Sequence, residues 1–239
     1  NHRGFGTAPE NTLEAYRLSA HNGFTMVECD VSFTKDGYAV LLHDDTIDRT
    51  SNGTGNISEL TLAEVKKYDF GSWKSAKYAG VKIPTFDEFI ALCVELNLHP
   101  YIEIKGNINA TQAQNLVNIV NKYGMLDNCT WISFSNTSLA AVLQYDNTAR
   151  IGYVTSGIDA NIISRAKALQ TGKNEVFIDT YYSYVSTENT NCNANVALVQ
   201  NAGLGLEVYT VDYMDIIQKK LHSYVSGVTS NYLIAGLYR

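Results

Sequence analysis

The sequence predicts an α/β fold in which eight parallel strands, each followed by a helix, close into a barrel. Three observations predict it. Strand-like and helix-like patterns alternate with short connections, as a parallel sheet requires. Eight strands can be placed if the first is taken to end at His2. The length of 239 residues suits a barrel of about 250 residues, and residues 1–239 are read as one domain.

The elements follow in order. The first strand is mostly missing from the chain, and Glu10 and Asn11 start the first helix. Met26 to Val31 is the second strand. Lys35-Asp36-Gly37 is a hairpin turn, because Asp-Gly suits the positive φ such turns need. Ala39 to Leu42 is a further apolar run ending at His43. Residues 44–83 break the rhythm. They are Gly-rich at Asn52-Gly53-Thr54-Gly55, carry a helix at Thr61 to Tyr68, and are read as an insertion subdomain after the second barrel strand. Pro84 to Ile90 opens a helix, with Thr85 as N-cap and Glu88 completing a capping box.

Five regular units follow. Tyr101–Lys105, Cys129–Phe134, Arg150–Thr155, Glu175–Thr180 and Leu206–Val211 read as strands. The intervening helices fall at Thr111–Tyr123, near Ser138–Gln144, near Asn161–Gln170, near Asn193–Ala202 and near Met214–Leu221. Tyr224 to Thr229 is the last strand.

Composition narrows the function. Hydrophobic residues make up 45% and charged residues 18%, a globular balance with enough apolar surface for a sizeable core. The net charge of -6 argues against nucleic acid as a partner, since phosphate backbones select basic patches. It leaves room for a small phosphorylated substrate. The cysteines Cys29, Cys93, Cys129 and Cys192 form no C-x-x-C, so buried free thiols are the favoured reading over a disulfide or a zinc site. No apolar run is long enough for a transmembrane segment. The chain opens on Asn1, so the absence of a signal peptide carries no information about compartment. The Asn-, Ser-, Thr- and Tyr-rich surface and the triplets at Asn52 and Asn56 tilt the expectation to an extracytoplasmic setting. Oligomeric state is not legible.

The chemistry gathers at strand ends. Glu28 and Asp30 are two apart on one strand and therefore share a face. Glu103 and Lys105 repeat that spacing. Three carboxylates in a core are costly unless a cation sits among them, and carboxylate oxygens favour Mg²⁺ or Ca²⁺. Spacing alone leaves a second reading open, in which the acids pair with Arg or Lys around the barrel mouth. His2 and His43 also end strands and suit proton transfer near neutrality. Arg3 can fork onto two phosphate oxygens, and Lys105 can meet a third. His21, His99 and His222 fall in helices or a turn and receive no role.

These residues sit in words that resemble the glycerophosphodiester phosphodiesterase family. The words are His2-Arg3-Gly4, Ala8-Pro9-Glu10-Asn11-Thr12, Glu28-Cys29-Asp30-Val31, Lys35-Asp36-Gly37, His43-Asp44, Asp48-Arg49-Thr50, Ile83-Pro84-Thr85 and Glu103-Ile104-Lys105. The resemblance covers nearly the whole chain and is densest before residue 106. It implies a TIM-type barrel and one divalent cation, Mg²⁺ or Ca²⁺, held by Glu28, Asp30 and Glu103. It implies His2 and His43 as general acid and base, and Arg3 and Lys105 as phosphate ligands. The substrate implied is a small glycerophosphodiester, cut to an alcohol and glycerol 3-phosphate. Glu10 and Asn11 are read as bracing the loop that carries His2.

Two departures concern the second half. Tyr209 stands where the family often has Trp, and would pack the glycerol moiety. Ser226-Gly227 stands where the family usually has Asp-Gly. Two alternatives are kept: a phospholipase- or sphingomyelinase D-like phosphodiesterase on the same barrel, and a non-catalytic binding module.

Overall fold

Apolar alternation along the strands and one apolar stripe per helix build a curled parallel sheet with helices outside it. The computed structural model describes residues 1–232. The strands are β1 (Met26–Phe33), β2 (Ala39–Leu41), β3 (His99–Ile104), β4 (Thr130–Ser133), β5 (Arg150–Thr155), β6 (Val176–Tyr181), β7 (Gly205–Tyr209) and β8 (Gly227–Val228). The helices are α1 (Leu13–His21), α2 (Leu62–Val65), α3 (Phe86–Leu96), α4 (Ala110–Lys122), α5 (Asn136–Leu143), α6 (Ala160–Lys167), α7 (Cys192–Asn201) and α8 (Met214–Lys219). The sheet runs β2-β1-β3-β4-β5-β6-β7-β8. All neighbours are parallel except β1 and β2, which form the expected hairpin, with Gly37 at φ 83° in its turn.

The barrel seam lies between β8 and β1, and Asn1 and His2 occupy it. The Asn1 amino group donates to Met26 O (2.8 Å). Glu28 N donates to Asn1 O and His2 N to Ser230 O, each at 2.7 Å. Two residues thus stand where the eighth stave belongs, and the chain is a TIM-type (β/α)8 barrel. β2 is an outer hairpin strand rather than a stave.

The main core lies between strands and helices, with Cys29, Val31, Phe86, Phe89, Ile102, Leu116, Trp131 and Ile178 among its members. All four cysteines are buried free thiols. Inside the barrel Tyr101, Ile132, Val154 and Phe177 pack together. The Phe177 ring fills the space that a side chain at Gly152 would need. Gly152→Val is therefore expected to cost about 1–3 kcal/mol through overpacking, read as a lower urea midpoint. Below this layer Arg150 donates to Glu207 Oε1 (2.6 Å) and to the Tyr101 hydroxyl (2.5 Å). A Cβ at Gly227 would lie 2.6 Å from Glu207 Cδ, so glycine at this point of Ser226-Gly227 is a packing requirement of the barrel floor.

The segment 44–83 packs Ile47, Ile57, Val65, Phe70 and Ile83 against Val40 and Leu42 of the hairpin in a second small core. Its helix is shorter than expected, a single turn at Leu62–Val65. The chain then turns away so that Phe70 enters that small core, with Phe70 N donating to Val81 O. The capping box at Thr85 and Glu88 is present. Two boundaries differ from expectation. His99 begins β3 rather than lying in a turn or helix, held by Asn128 and Thr130. β8 is only two residues long, although Ser226 N and Thr229 N on either side still donate to Leu206 O and Val208 O of the neighbouring strand.

Candidate active site

Side-chain alternation along β1 turns Glu28 and Asp30 into the barrel, and the parallel register sets Asp30 opposite Glu103. One oxygen from each of Glu28, Asp30 and Glu103 lies within 4.8 Å of the other two. Glu28 and Asp30 are buried, and Asp30 is wholly inaccessible. The Arg3 amide donates to Glu28 Oε2 (2.8 Å). Asn11 Nδ2 donates to Asp30 Oδ2 (2.8 Å), with Arg3 Nε 3.1 Å from the same oxygen. Lys105 Nζ donates to Glu103 Oε1 (2.8 Å) and stands 3.5 Å from Asp30 Oδ1.

The electrostatics are correspondingly uneven. Burial pushes the Glu28 carboxyl well above its ordinary range, and the charges of Asp30 and Glu103 add to this. Glu103 is raised by burial and by Asp30. Burial also works to raise Asp30, but Arg3 and Lys105 outweigh it and hold that carboxyl low. Both readings of the acidic cluster therefore have a visible part: Arg3 and Lys105 do pair with it. They leave Glu28 Oε1 and Asp30 Oδ1 buried without a hydrogen-bond partner. Buried orphan oxygens are rare and expensive. A donor set made only of carboxylate oxygens fits a hard divalent cation.

The loop carrying His2 is held in an unusual conformation. Arg3 and Asn11 have φ of 51° and 54°, a region costly for non-glycine residues and concentrated at functional sites. Asn11 N donates to Arg3 O (2.9 Å). The Asn11 carbonyl oxygen accepts from the Tyr16 hydroxyl (2.9 Å) and the Asp30 amide (3.2 Å). Asn11 braces the loop, as expected, and also braces Asp30. Asn11→Ala is expected to cost about 2 kcal/mol, since it strips a buried charged oxygen of its donor, measured by urea unfolding.

Each histidine has its Nδ1 engaged. His2 Nδ1 lies 2.8 Å from Asn231 Oδ1, and Asp212 accepts from both Asn231 Nδ2 (2.8 Å) and Asn231 N (2.7 Å). Burial, then the Arg3 charge, lowers the His2 pKa. His43 Nδ1 lies 2.6 Å from Asp44 Oδ1. Asp44 accepts from Arg49 Nε (2.6 Å), Arg49 donates on to Glu10 (2.8 Å), and Glu10 accepts from Arg3 Nη1 (3.2 Å). The Arg49 hydrogen bond holds Asp44 below the usual carboxylate range. A chain of alternating charges thus ties the His43 side of the cleft to the Arg3 side. A histidine oriented at one nitrogen presents the other for proton transfer.

These groups face a cleft of about 220 Å³ lined by His2, Arg3, Glu28, His43, Glu103 and Lys105. Asp30 lies beneath them. Tyr209 also lines the cleft, with its hydroxyl committed to Thr155 O (2.9 Å). Burial, then the charge of Asp179, pushes the Tyr209 phenol up to about 12. Phe134 meets the Tyr209 ring edge-on at 6.2 Å. The structure therefore brings His2, Arg3, Glu28, Asp30, His43, Glu103, Lys105 and Tyr209 together. It adds Asp44, Arg49, Asn231, Asp212 and Asp179, to which sequence reasoning assigned no role. Asp44 and Arg49 stood in recognisable words, whereas Asn231, Asp212 and Asp179 carried no local signal.

Comparison with known proteins bears on this site. The model of the glycerophosphoryl diester phosphodiesterase family matches residues 2–235. The glycerophosphodiester phosphodiesterase of Caldanaerobacter subterraneus subsp. tengcongensis is 29% identical over 96% of this chain and 92% of its own length. That of Bacillus subtilis is 29% identical over 97% of this chain and 82% of its own. The structure of an Oleispira antarctica phosphodiesterase in complex with the product sn-glycerol-3-phosphate superposes with a TM-score of 0.86 and 28% identity. It covers 97% of this chain and 91% of that one.

Proposed function

This chain belongs to the glycerophosphoryl diester phosphodiesterase family, and from that premise we propose that it hydrolyses glycerophosphodiesters to an alcohol and glycerol 3-phosphate. The reaction depends on one divalent cation, Mg²⁺ or Ca²⁺, held by Glu28, Asp30 and Glu103. The observation that carries the reading is the pair of buried oxygens on Glu28 and Asp30 left without a hydrogen bond, at and beneath a cleft that also holds two oriented histidines.

When bound, the cation supplies positive charge to the phosphate oxygens as a Lewis acid. Arg3 and Lys105 line the same cleft and add the charge that steadies a pentacoordinate phosphorus. One histidine removes the proton from the glycerol hydroxyl next to the phosphate. That oxygen attacks phosphorus, and the other histidine protonates the departing alcohol. Water then opens the cyclic phosphate with the two roles reversed. Asn231 on His2 and Asp44 on His43 keep each ring turned for this exchange. The Tyr209 face packs the glycerol carbons. Residues 1–239 work as one catalytic domain, in which the 44–83 segment contributes Asp44 and Arg49 to the site.

The test is hydrolysis of glycerophosphocholine against phosphatidylcholine vesicles, both with Mg²⁺ or Ca²⁺. Release of glycerol 3-phosphate and choline from the soluble diester is expected. Activity confined to vesicles would point instead to a phospholipase D-like enzyme.

A further inference from the structure

One acid in the cleft has no part in the chemistry above. Asp179, on β6, is 2% exposed and lines the same cleft as the triad and the histidines. Its Oδ1 is buried with no hydrogen-bond partner among the described residues. It does not belong to the carboxylate group that can hold a metal ion. No side chain lining the cleft is hydrogen-bonded to that oxygen. Ile132 and Val154 are apolar, and the Tyr209 hydroxyl is already donated to Thr155 O. An unpaired buried acid is costly to a fold, and such costs are characteristically carried where a ligand relieves them.

The class of group it would meet follows from charge. Burial, with Glu207 and Glu103 nearby, raises the Asp179 carboxyl above its ordinary range; in either protonation state its oxygens accept a hydrogen bond from a neutral hydroxyl, and a site among acids does not suit a second anion. A phosphate is already served by Arg3 and Lys105. The hydroxyl next to the phosphate is spoken for by a histidine. The substrate then has one neutral polar group left on its glycerol unit, the terminal hydroxyl. We propose that Asp179 hydrogen-bonds this terminal hydroxyl and so selects diesters of free glycerol over those lacking that hydroxyl or carrying an acyl group on it. The inference rests on the hydrolytic reading above and adds the residue that chooses the substrate.

The experiment compares glycerophosphocholine with the corresponding phosphocholine diester of propane-1,2-diol. That analogue keeps the attacking hydroxyl and lacks the terminal one. Wild-type enzyme is expected to favour the glycerol diester by about 10–100-fold in kcat/KM, because a site built to bond a hydroxyl rejects an analogue without it. In Asp179→Ala the preference is expected to collapse to under about 3-fold, whereas Asp179→Asn, which keeps hydrogen-bonding atoms, retains most of it. An Asp179→Ala enzyme with the wild-type preference would overturn the inference. So would a wild-type enzyme that does not discriminate, a result that needs no variant to fold. No turnover of either diester by wild type would instead remove the hydrolytic reading itself.

Discussion

Glu103→Gln is expected to lower kcat/KM on glycerophosphocholine by about a thousandfold, equivalent to about 4 kcal/mol of lost transition-state stabilisation. The same loss is expected on chelation of the wild-type enzyme, and it should be reversed by Mg²⁺ or Ca²⁺ for wild type alone. The physical reason is the crowding of Glu28, Asp30 and Glu103 within 4.8 Å, which Arg3 and Lys105 only partly neutralise. Calorimetric titration of the divalent ion reads the same claim without catalysis, and Glu103→Gln should bind it far more weakly.

The triad also sets a pH dependence with a definite sign. Glu28 and Glu103 have raised pKa values in the folded chain, so the metal-free fold holds their protons more tightly than the unfolded chain does. That contribution to stability is complete below their ordinary value of about 4.5 and is lost as pH rises through the folded pKa values. A cation binds the ionised carboxylates and displaces those protons. The thermal midpoint gained on adding divalent ion should therefore grow as pH rises from about 5. An increment that shrinks over that range would contradict the ligand assignment.

The second large effect belongs to the histidines. His2→Ala and His43→Ala are each expected to lower kcat by about 10²–10⁴-fold, the usual range for a positioned acid or base. The double variant should be little worse than either single one if, as proposed, the two act in one proton circuit. Divalent-ion binding should persist in both. Near wild-type turnover in either variant would remove that residue from the circuit.

How much of this was legible in sequence depended on whether a signal was local. Glu28 and Asp30 could be read together because strand side chains alternate with a period of two. Glu103 joined them because the alternating β and α rhythm implies parallel neighbours, and β3 lies beside β1 in register. The Thr85 capping box was visible as a four-residue pattern. Asn231 was not visible: it reaches His2 across 229 residues of sequence, and only closure of the barrel brings them together. Asp179 reads in sequence as the one charged residue in the strand Val176–Tyr181, and its oxygen's lack of a hydrogen bond exists only in three dimensions. The seam at Asn1 and His2 was legible as a gap in the strand count, but its hydrogen bonds to both edges were not. The helix at 61–68 was over-read because its apolar periodicity also serves the small core around Phe70.

The most direct measurement is glycerol 3-phosphate release from glycerophosphocholine by the full chain. It is made first in excess chelator and then after Mg²⁺ or Ca²⁺ is restored. The site built from Glu28, Asp30, Glu103, His2 and His43 predicts about a thousandfold less product under chelation and full recovery with the ion. Undiminished release in excess chelator would contradict it.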